Sequence, residues 1–542
     1  MDSITFKNYR QFKDETTFDL KNINILVGKN NSGKSTLTKG LRLYLYNLKN
    51  LKLDHTDINN AENINEFEDV KVCRYKPFFL FGGGTLDNPH VGTFGRALSR
   101  DSEDDYILFS VRMGHIVIET MVSRYYKDSD GNQVDCFDRT SAPISRITIC
   151  DDNMVSRYIF DFKKNIQTIE IDARENSTHY RVWEKCIEEI QSRYRLFNGR
   201  IFDEGDKMRM NQYNLYLTIK HKAFIKFEVD LYHHVDNPRC FTDGSLFSSL
   251  LDDADYNCAY NYDLYYDDTN PMLNELANQH IDENTGCDYR FDFLEDVCTK
   301  TKDDLNRYID QAQIEYIEAH SVTHSIVYNG SDKNDYMAQT ILDYLNENIK
   351  ADDPEKAFIE DWMMKFEIGE DFEIESIGGE CFKLGIIEDV DHPKEITPLL
   401  DKGVGSNQMM ILLLQLATIM HKNRETTIPP MIIIEEPEQN LHPQMQSFLA
   451  DLFFNVYAYP PKTNKKSCGI SFLIETHSEY LVRKTQVIVA NREDEKPNPF
   501  IVYYLETGNA PRQICYQNNG VFYNDFGEGF YDTAVSLTEQ IV

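Results

Sequence analysis

The chain has 542 residues and a hydrophobic fraction of 41%, enough for a large core in two to four pieces of roughly 150 residues each. Its formal net charge of −33 is the opposite of the balance usual in a chain built to grip nucleic acid, and with 27% charged residues it reads as soluble. The longest apolar run, Met409–Met420, falls short of the ~20 residues a bilayer crossing needs and reads as a buried helix; the N-terminus does not look like a signal peptide.

Eleven cysteines, from Cys73 to Cys515, include no CxxC pair. An odd number at scattered spacings reads as reduced thiols in a cytoplasmic protein, without a disulfide frame or zinc site.

Residues 3–27 predict two strands around a turn at Lys13–Asp14–Glu15, the second being the apolar Ile23–Val27. Residues 35–48 then follow helical spacing, with Leu37, Leu41, Tyr44 and Leu48 on one stripe. Between 70 and 175 the alternating runs YILFSV, HIVIETMV, SRITIC and QTIEIDA predict antiparallel strands, and FGGG at 81–84 a turn. Residues 1–175 are therefore expected to form a first lobe. From 176 to 312 the character shifts to a helix over 181–195, a strand pair LYLTIKHK and FIKFEVDLYHH, and an acidic, Tyr-rich stretch over 251–297. This reads as an inserted α+β subdomain. From 313 to 542, strands at 431–436, 470–476 and 500–506 alternate with helices near 334–349, 354–366, 407–421, 443–456 and 478–491. Such alternation is the pattern of a parallel sheet with helices on its faces.

Residues 28–36, GKNNSGKST, fit G-x-x-x-x-G-K-[ST] between an apolar strand and a helix. Gly28 and Gly33 let the backbone turn so that N–H groups through Asn30, Asn31 and Ser32 face phosphate oxygens, and the helix opening at Thr36 adds its positive end. Lys34 reaches the β- and γ-phosphates of ATP, and the Ser35 hydroxyl is a Mg²⁺ ligand. MIIIEEPE at 431–438 is a buried strand delivering two carboxylates at its C-terminal tip, where parallel sheets hold their ligands. Glu435 is expected to hold Mg²⁺ through its waters and Glu436 to deprotonate the attacking water. Strand alternation points the two to opposite faces. His477 follows the next apolar strand and is expected beside the γ-phosphate.

In this order the pieces resemble the ABC-type ATPase heads of the SMC and OLD group. The opening ITFKNYRQF looks like their first strand and turn, EEPEQNLHP (435–443) like their Walker B strand and D-loop, and IETHSEYLV (474–482) like their switch-histidine segment. YIEAHS (316–321) and the tail DFGEGFYD (525–532) resemble a bacterial branch of that group, so the likeness spans roughly 1–120 and 310–542. The fold it implies is an α/β P-loop head, a mixed sheet with an antiparallel lobe and a parallel core. It also implies a head-to-tail dimer or higher homo-oligomer that sandwiches ATP and Mg²⁺. LLDKGVGSNQ (399–408) occupies the place of the trans signature, which brings Gly403, Gly405 and Ser406 toward the partner's γ-phosphate, although the usual Ser-Gly-Gly run is absent and Asn407 stands where relatives tend to carry Ser. HVGTFGRALSR (90–100) sits where a Q-loop is expected and holds no glutamine.

OLD nucleases carry a Toprim domain after the ATPase, and the ~65 residues past His477 do not fit one. A nuclease or toxin is therefore expected on a separate polypeptide, as in the Septu-type anti-phage systems that such stand-alone heads resemble. The resemblance thus implies a defence ATPase that controls an effector. The alternative is an SMC-like DNA-repair or chromosome-maintenance ATPase, which usually needs long coiled coils or a basic DNA face. A transporter subunit is disfavoured by THSEY and EEPEQNLHP. DNA is not expected to bind the bare acidic chain, and no membrane is expected.

Overall fold

The computed structural model describes residues 1–50, 62–63, 71–73, 77–82, 89–128, 131–153, 156–164, 166–172, 224–230, 233–234, 292–318, 325–333, 335–391, 396–424, 430–459, 469–492, 497–527, 530 and 532–541. The chain divides into two compact units, Met1–Asp19 with Lys39–Asp310 and Leu20–Thr38 with Gln311–Val542. The phosphate loop therefore belongs to the second unit. The helix at 181–195, the LYLTIKHK strand and most of the acidic stretch at 251–297 lie outside the described residues.

The elements, in chain order, begin with β1 (Ser3–Lys7), β2 (Thr16–Asp19), β3 (Ile23–Gly28) and α1 (Lys34–Asn50). They continue with β4 (Phe78–Leu80), β5 (Tyr106–Met113), β6 (Ile116–Ser123), β7 (Ser141–Asp151), β8 (Ser156–Asp161), β9 (Ile166–Asp172), β10 (Phe224–Asp230) and α2 (Asp292–Gln311). The remainder are β11 (Ile314–Ile317), α3 (Tyr336–Asn346), α4 (Pro354–Lys365), β12 (Asp371–Gly378), β13 (Cys381–Ile387), α5 (Val404–Lys422), β14 (Met431–Glu435), α6 (Pro443–Ala458), β15 (Ser471–Glu475), α7 (Glu479–Ala490), β16 (Phe500–Leu505) and β17 (Arg512–Ile514).

The first unit is built on a nine-stranded sheet in the order β10-β9-β8-β7-β6-β5-β1-β2, with β4 added on β7. Every pairing is antiparallel. β1 and β6 alternate buried and half-buried residues, the period-2 pattern of a sheet with one face in the core. Phe6 stacks on Tyr9 and Phe12 and meets Phe18 and Phe109 edge-on, so one buried aromatic cluster ties β1, β2 and β5 together. Hydrogen bonds hold α2 to the sheet: His115 Nε2 lies 2.9 Å from Asp304 Oδ2, and Thr301 Oγ1 donates to Asp151 Oδ2 at 2.8 Å.

The second unit holds the parallel sheet, in the order β11-β14-β15-β3-β16-β17, with only β17 antiparallel. β3 and β16 are buried along their whole length, which is why these strands read as continuous apolar runs. α5 carries the Met409–Met420 run, buried at nearly every position, and packs against α3 and α4. A helix buried all round cannot show a polar stripe. Each such fully buried Leu or Ile contributes about 1.5–3 kcal/mol. A small antiparallel sheet, β12 and β13 with edge pairs at 328–329 and 396–398, completes the unit.

The antiparallel unit and the parallel α/β core are the two architectures expected from the sequence. Three local differences stand out. Residues 3–27 form three strands instead of two, because β2 intervenes; its only buried side chain is Phe18, too weak a pattern to read. The β12–β13 hairpin was not anticipated, since β12 buries little besides Phe372. Finally, α5 begins at Val404, three residues before the expected start at 407, and β14 ends at Glu435, one residue early.

Candidate functional site

β3 runs into the phosphate loop at Gly28, and the loop runs into α1 at Lys34. A Cβ at Gly28, whose φ is +150°, would sit 2.1 Å from the Leu505 carbonyl oxygen, so only glycine lets β3 pass β16 here. Asn31 and Gly33 also have positive φ, +61° and +102°, the turn geometry that exposes successive N–H groups to one concavity. Thr507 Oγ1 donates to the Asn31 carbonyl at 3.2 Å and braces the loop from outside. Asn30 is exposed, while Ser32 and Thr36 are buried against the loop.

Lys34 is only 6% exposed. Its Nζ donates to the carbonyls of Gly28 at 2.9 Å and Lys29 at 3.1 Å, curling over the loop it serves. Burial lowers its pKa, opposed by the carboxylates of Glu475, Glu436 and Glu438, so one ammonium faces three acids.

Those acids come from two neighbouring strand tips. Glu435 ends β14 in register with Glu475, which ends β15. Glu435 Oε1 is buried and has no hydrogen-bond partner. Glu436 lies past the strand at φ +45°, and its N–H donates to the Glu475 carbonyl at 2.8 Å. The expected alternation of the two acids is therefore replaced by a left-handed turn, which still separates them. The Glu436 carboxylate accepts from Gln439 Nε2, and its Oε1 lies 3.7 Å from His477 Nε2.

His477 begins the turn after β15. Its N–H donates to Glu438 Oε1 at 2.6 Å, and Ser478 caps α7 by accepting from Leu481 N at 3.1 Å. Burial and the nearby Lys34 lower the His477 pKa, against the pull of Glu436, so the ring is held toward its neutral form at neutral pH. Glu438 is itself buried, which raises its pKa despite the hydrogen bond from His477.

Glu475 was not singled out from the sequence. Its side chain accepts from Ser35 Oγ at 2.8 Å and from Thr38 Oγ1 at 2.5 Å, and burial raises its pKa to about 7. A signal existed: ISFLIE repeats the apolar-run-then-Glu pattern of MIIIE, so the same argument that picked Glu435 applied to it.

Lys34, Ser35, Glu436 and His477, all expected from the sequence, thus meet around two strand tips and one loop. Gly403, Gly405 and Ser406 are not hydrogen-bonded or ion-paired to that group. Gly403 caps α5, and Gly405 and Ser406 lie in its first turn. A Cβ at Gly405 would meet the Asn440 carbonyl at 2.7 Å, so α5 begins hard against the turn after Glu438. Nothing lies within 4 Å of the corresponding position at Gly403, and Val404 is 41% exposed. Asp353, Glu355 and His421 also converge, but Arg424 already occupies them, donating to both carboxylates.

A family model described as an AAA ATPase domain matches residues 1–482. No curated protein matches the sequence. Among solved structures, the SMC head domain from Thermotoga maritima is 8% identical at a TM-score of 0.32, the match covering 95% of this chain and 98% of that one. The recombination mediator protein RecF of the RecFOR pathway matches twice at 12% identity. As RecF-ATPrS it covers 94% of this chain and 96% of its own at a TM-score of 0.27. As RecF-ATP the figures are 95%, 98% and 0.28. Among the described residues, no helix is long and apolar enough to cross a membrane.

Proposed function

We propose, from the premise that this chain belongs to the AAA ATPase domain family, that it hydrolyses ATP at the Gly28–Thr36 loop and uses the cycle to control a separate effector. Membership of that family makes the chain an ATP hydrolase, and the phosphate loop beside Glu-tipped parallel strands supports the reading of an ABC-type P-loop head. The observation that carries the assignment of the site is the meeting of Lys34, three carboxylates and His477 at the C-terminal tips of parallel strands.

Each residue has a distinct task. The loop N–H groups and the start of α1 bind the phosphates, and Lys34 reaches the β- and γ-phosphates. Ser35 and Glu435 fit a Mg²⁺ ion: both offer the oxygen donors a hard cation takes, and Glu435 Oε1 is buried with no other partner. Mg²⁺ bound there would neutralise charge on the phosphate oxygens. Glu436 accepts the proton of the water that attacks the γ-phosphorus, as the bond to the β–γ bridging oxygen breaks and ADP leaves. His477, its ring held toward the neutral form with Nε2 3.7 Å from Glu436 Oε1, has a single N–H, and that N–H donates to a γ-phosphate oxygen.

The nucleotide is completed by a second copy. Gly403 and Val404 stand open at the start of α5 and are not bonded to their own phosphate loop, which suits them to a partner's γ-phosphate in a two-fold, head-to-tail pair. Glu436→Gln protein, measured by mass photometry, should gain paired species on adding ATP, and a structure with ATP should show each nucleotide touched by two chains. Nucleotide touched by one chain alone in the hydrolysis-competent state would reject the sandwich.

The effector reading rests on the resemblance to anti-phage ATPase subunits and on the charge of −33, which disfavours direct grip on DNA and favours a basic protein face. The acidic insertion over 176–312 is the proposed docking or sensing surface. Products of neighbouring genes should co-purify with the chain and dissociate as salt rises. In a plasmid assay the chain alone should leave DNA intact, while the complex cuts it or a toxin is restrained. Metal-dependent cleavage by the chain alone would end this division of labour, and tight, salt-sensitive DNA binding without a partner would favour the repair reading.

A further inference from the structure

We infer that Glu475 is a positioning residue for the divalent cation: its ionised carboxylate accepts the one hydrogen bond the Ser35 hydroxyl can donate and so leaves that oxygen's lone pairs free for the metal. The inference rests on the reading that Mg²⁺ and ATP occupy the phosphate loop.

Four observations carry it. Glu475 is 3% exposed at the tip of β15, in register with Glu435 on one side and Leu26 of β3 on the other, so its backbone is fixed by two strand neighbours. Its Oε2 accepts from Ser35 Oγ at 2.8 Å. Its Oε1 accepts from Thr38 Oγ1 at 2.5 Å, and Thr38 is fully buried. Ser35 and Thr38 are three residues apart on α1, hence on one helix face, and the two bonds pin both carboxylate oxygens so that the group cannot rotate.

The chemistry follows from the donor inventory. A serine hydroxyl has one proton and two lone pairs, and a carboxylate only accepts. With its proton committed to Glu475, Ser35 can present only lone pairs elsewhere, and the charge-assisted bond makes its oxygen a better donor to a cation. Burial disfavours the Glu475 charge, while the Lys34 ammonium and the two hydroxyls offset part of that cost, and the charge is what strengthens the bond to Ser35. The geometry is that of a residue behind a metal ligand that sets the ligand's orientation.

The test uses the full chain with Glu475→Gln and, separately, Thr38→Val. ATP affinity is measured by calorimetry in EDTA and across a Mg²⁺ series, with the melting temperature recorded for each protein. The amide places an N–H₂ opposite Ser35 or Thr38: opposite Ser35 it makes that hydroxyl accept and turns its proton toward the cation site, and in either orientation the neutral amide oxygen is a weaker acceptor than the carboxylate. Glu475→Gln should raise the Mg²⁺ concentration for half-maximal tightening about tenfold or more, read against that variant's own affinity in EDTA. Thr38→Val should shift it in the same direction and less. A Mg²⁺ series identical to wild type in both variants would overturn the inference. So would an equal loss of ATP affinity with and without metal, which marks a structural role. If Glu475→Gln loses its melting transition, Thr38→Val decides alone by the same criteria. If the wild-type chain shows no Mg²⁺-dependent ATP binding, the phosphate-loop reading falls and takes the inference with it.

Discussion

Glu436→Gln should bind ATP as the wild-type chain does and hydrolyse it about 10²–10⁴-fold more slowly, the range a positioned general base contributes. The amide matches the carboxylate in size, so the turn that begins at Glu436 should survive. That turn is set by the backbone: φ is +45° and the N–H is tied to the Glu475 carbonyl at 2.8 Å. Gln439 Nε2 can still donate to the amide oxygen as it does to the carboxylate. What is lost is the ability to take a proton from water. Phosphate release under single-turnover conditions, beside ATP affinity by calorimetry, checks the expectation. Turnover at the wild-type rate would remove Glu436 from the base role, and lost binding would show that the substitution had disturbed the pocket.

How much of this site was legible depended on whether local pattern or strand order decided the matter. β3, β14, β15 and β16 declare themselves because parallel strands covered on both faces must be apolar throughout, and the phosphate loop declares itself because glycines are forced at its bends. Strand order is a tertiary fact. β15, not β14, lies directly against β3, so the acid that touches Ser35 is Glu475 and not Glu435. MIIIE and ISFLIE carry the same local pattern, which does not say which of the two strands borders the loop. Likewise, alternation is not what sets Glu436 apart from Glu435. The strand had already ended, and a left-handed residue re-aims the second acid, a conformation no apolar pattern announces. The start of α5 was read late because Gly403–Ser406 looks like loop by composition, yet glycine at 405 is what lets a helix begin against the Asn440 carbonyl.

Lys34→Ala should abolish measurable ATP binding. Lys34 is set among the carboxylates of Glu475, Glu436 and Glu438, and the residue is 6% exposed, its ammonium donating to two carbonyls. A unit charge pair at about 4 Å is worth about 4 kcal/mol in an effective dielectric of about 20, or about a thousandfold in affinity. The real loss should be at least that large, because alanine removes an attraction and also leaves the polyphosphate facing uncompensated acids. The fold should persist: Gly28 and Gly33 keep their backbone turns, and Thr36 and Leu37 keep their N–H bonds to the Gly33 carbonyl at 3.0 and 3.2 Å. A retained melting transition therefore separates a lost ligand contact from a lost structure. Calorimetric titration with ATP and Mg²⁺ is the measurement, and affinity equal to wild type in a folded Lys34→Ala protein would mean that the nucleotide does not sit on this loop.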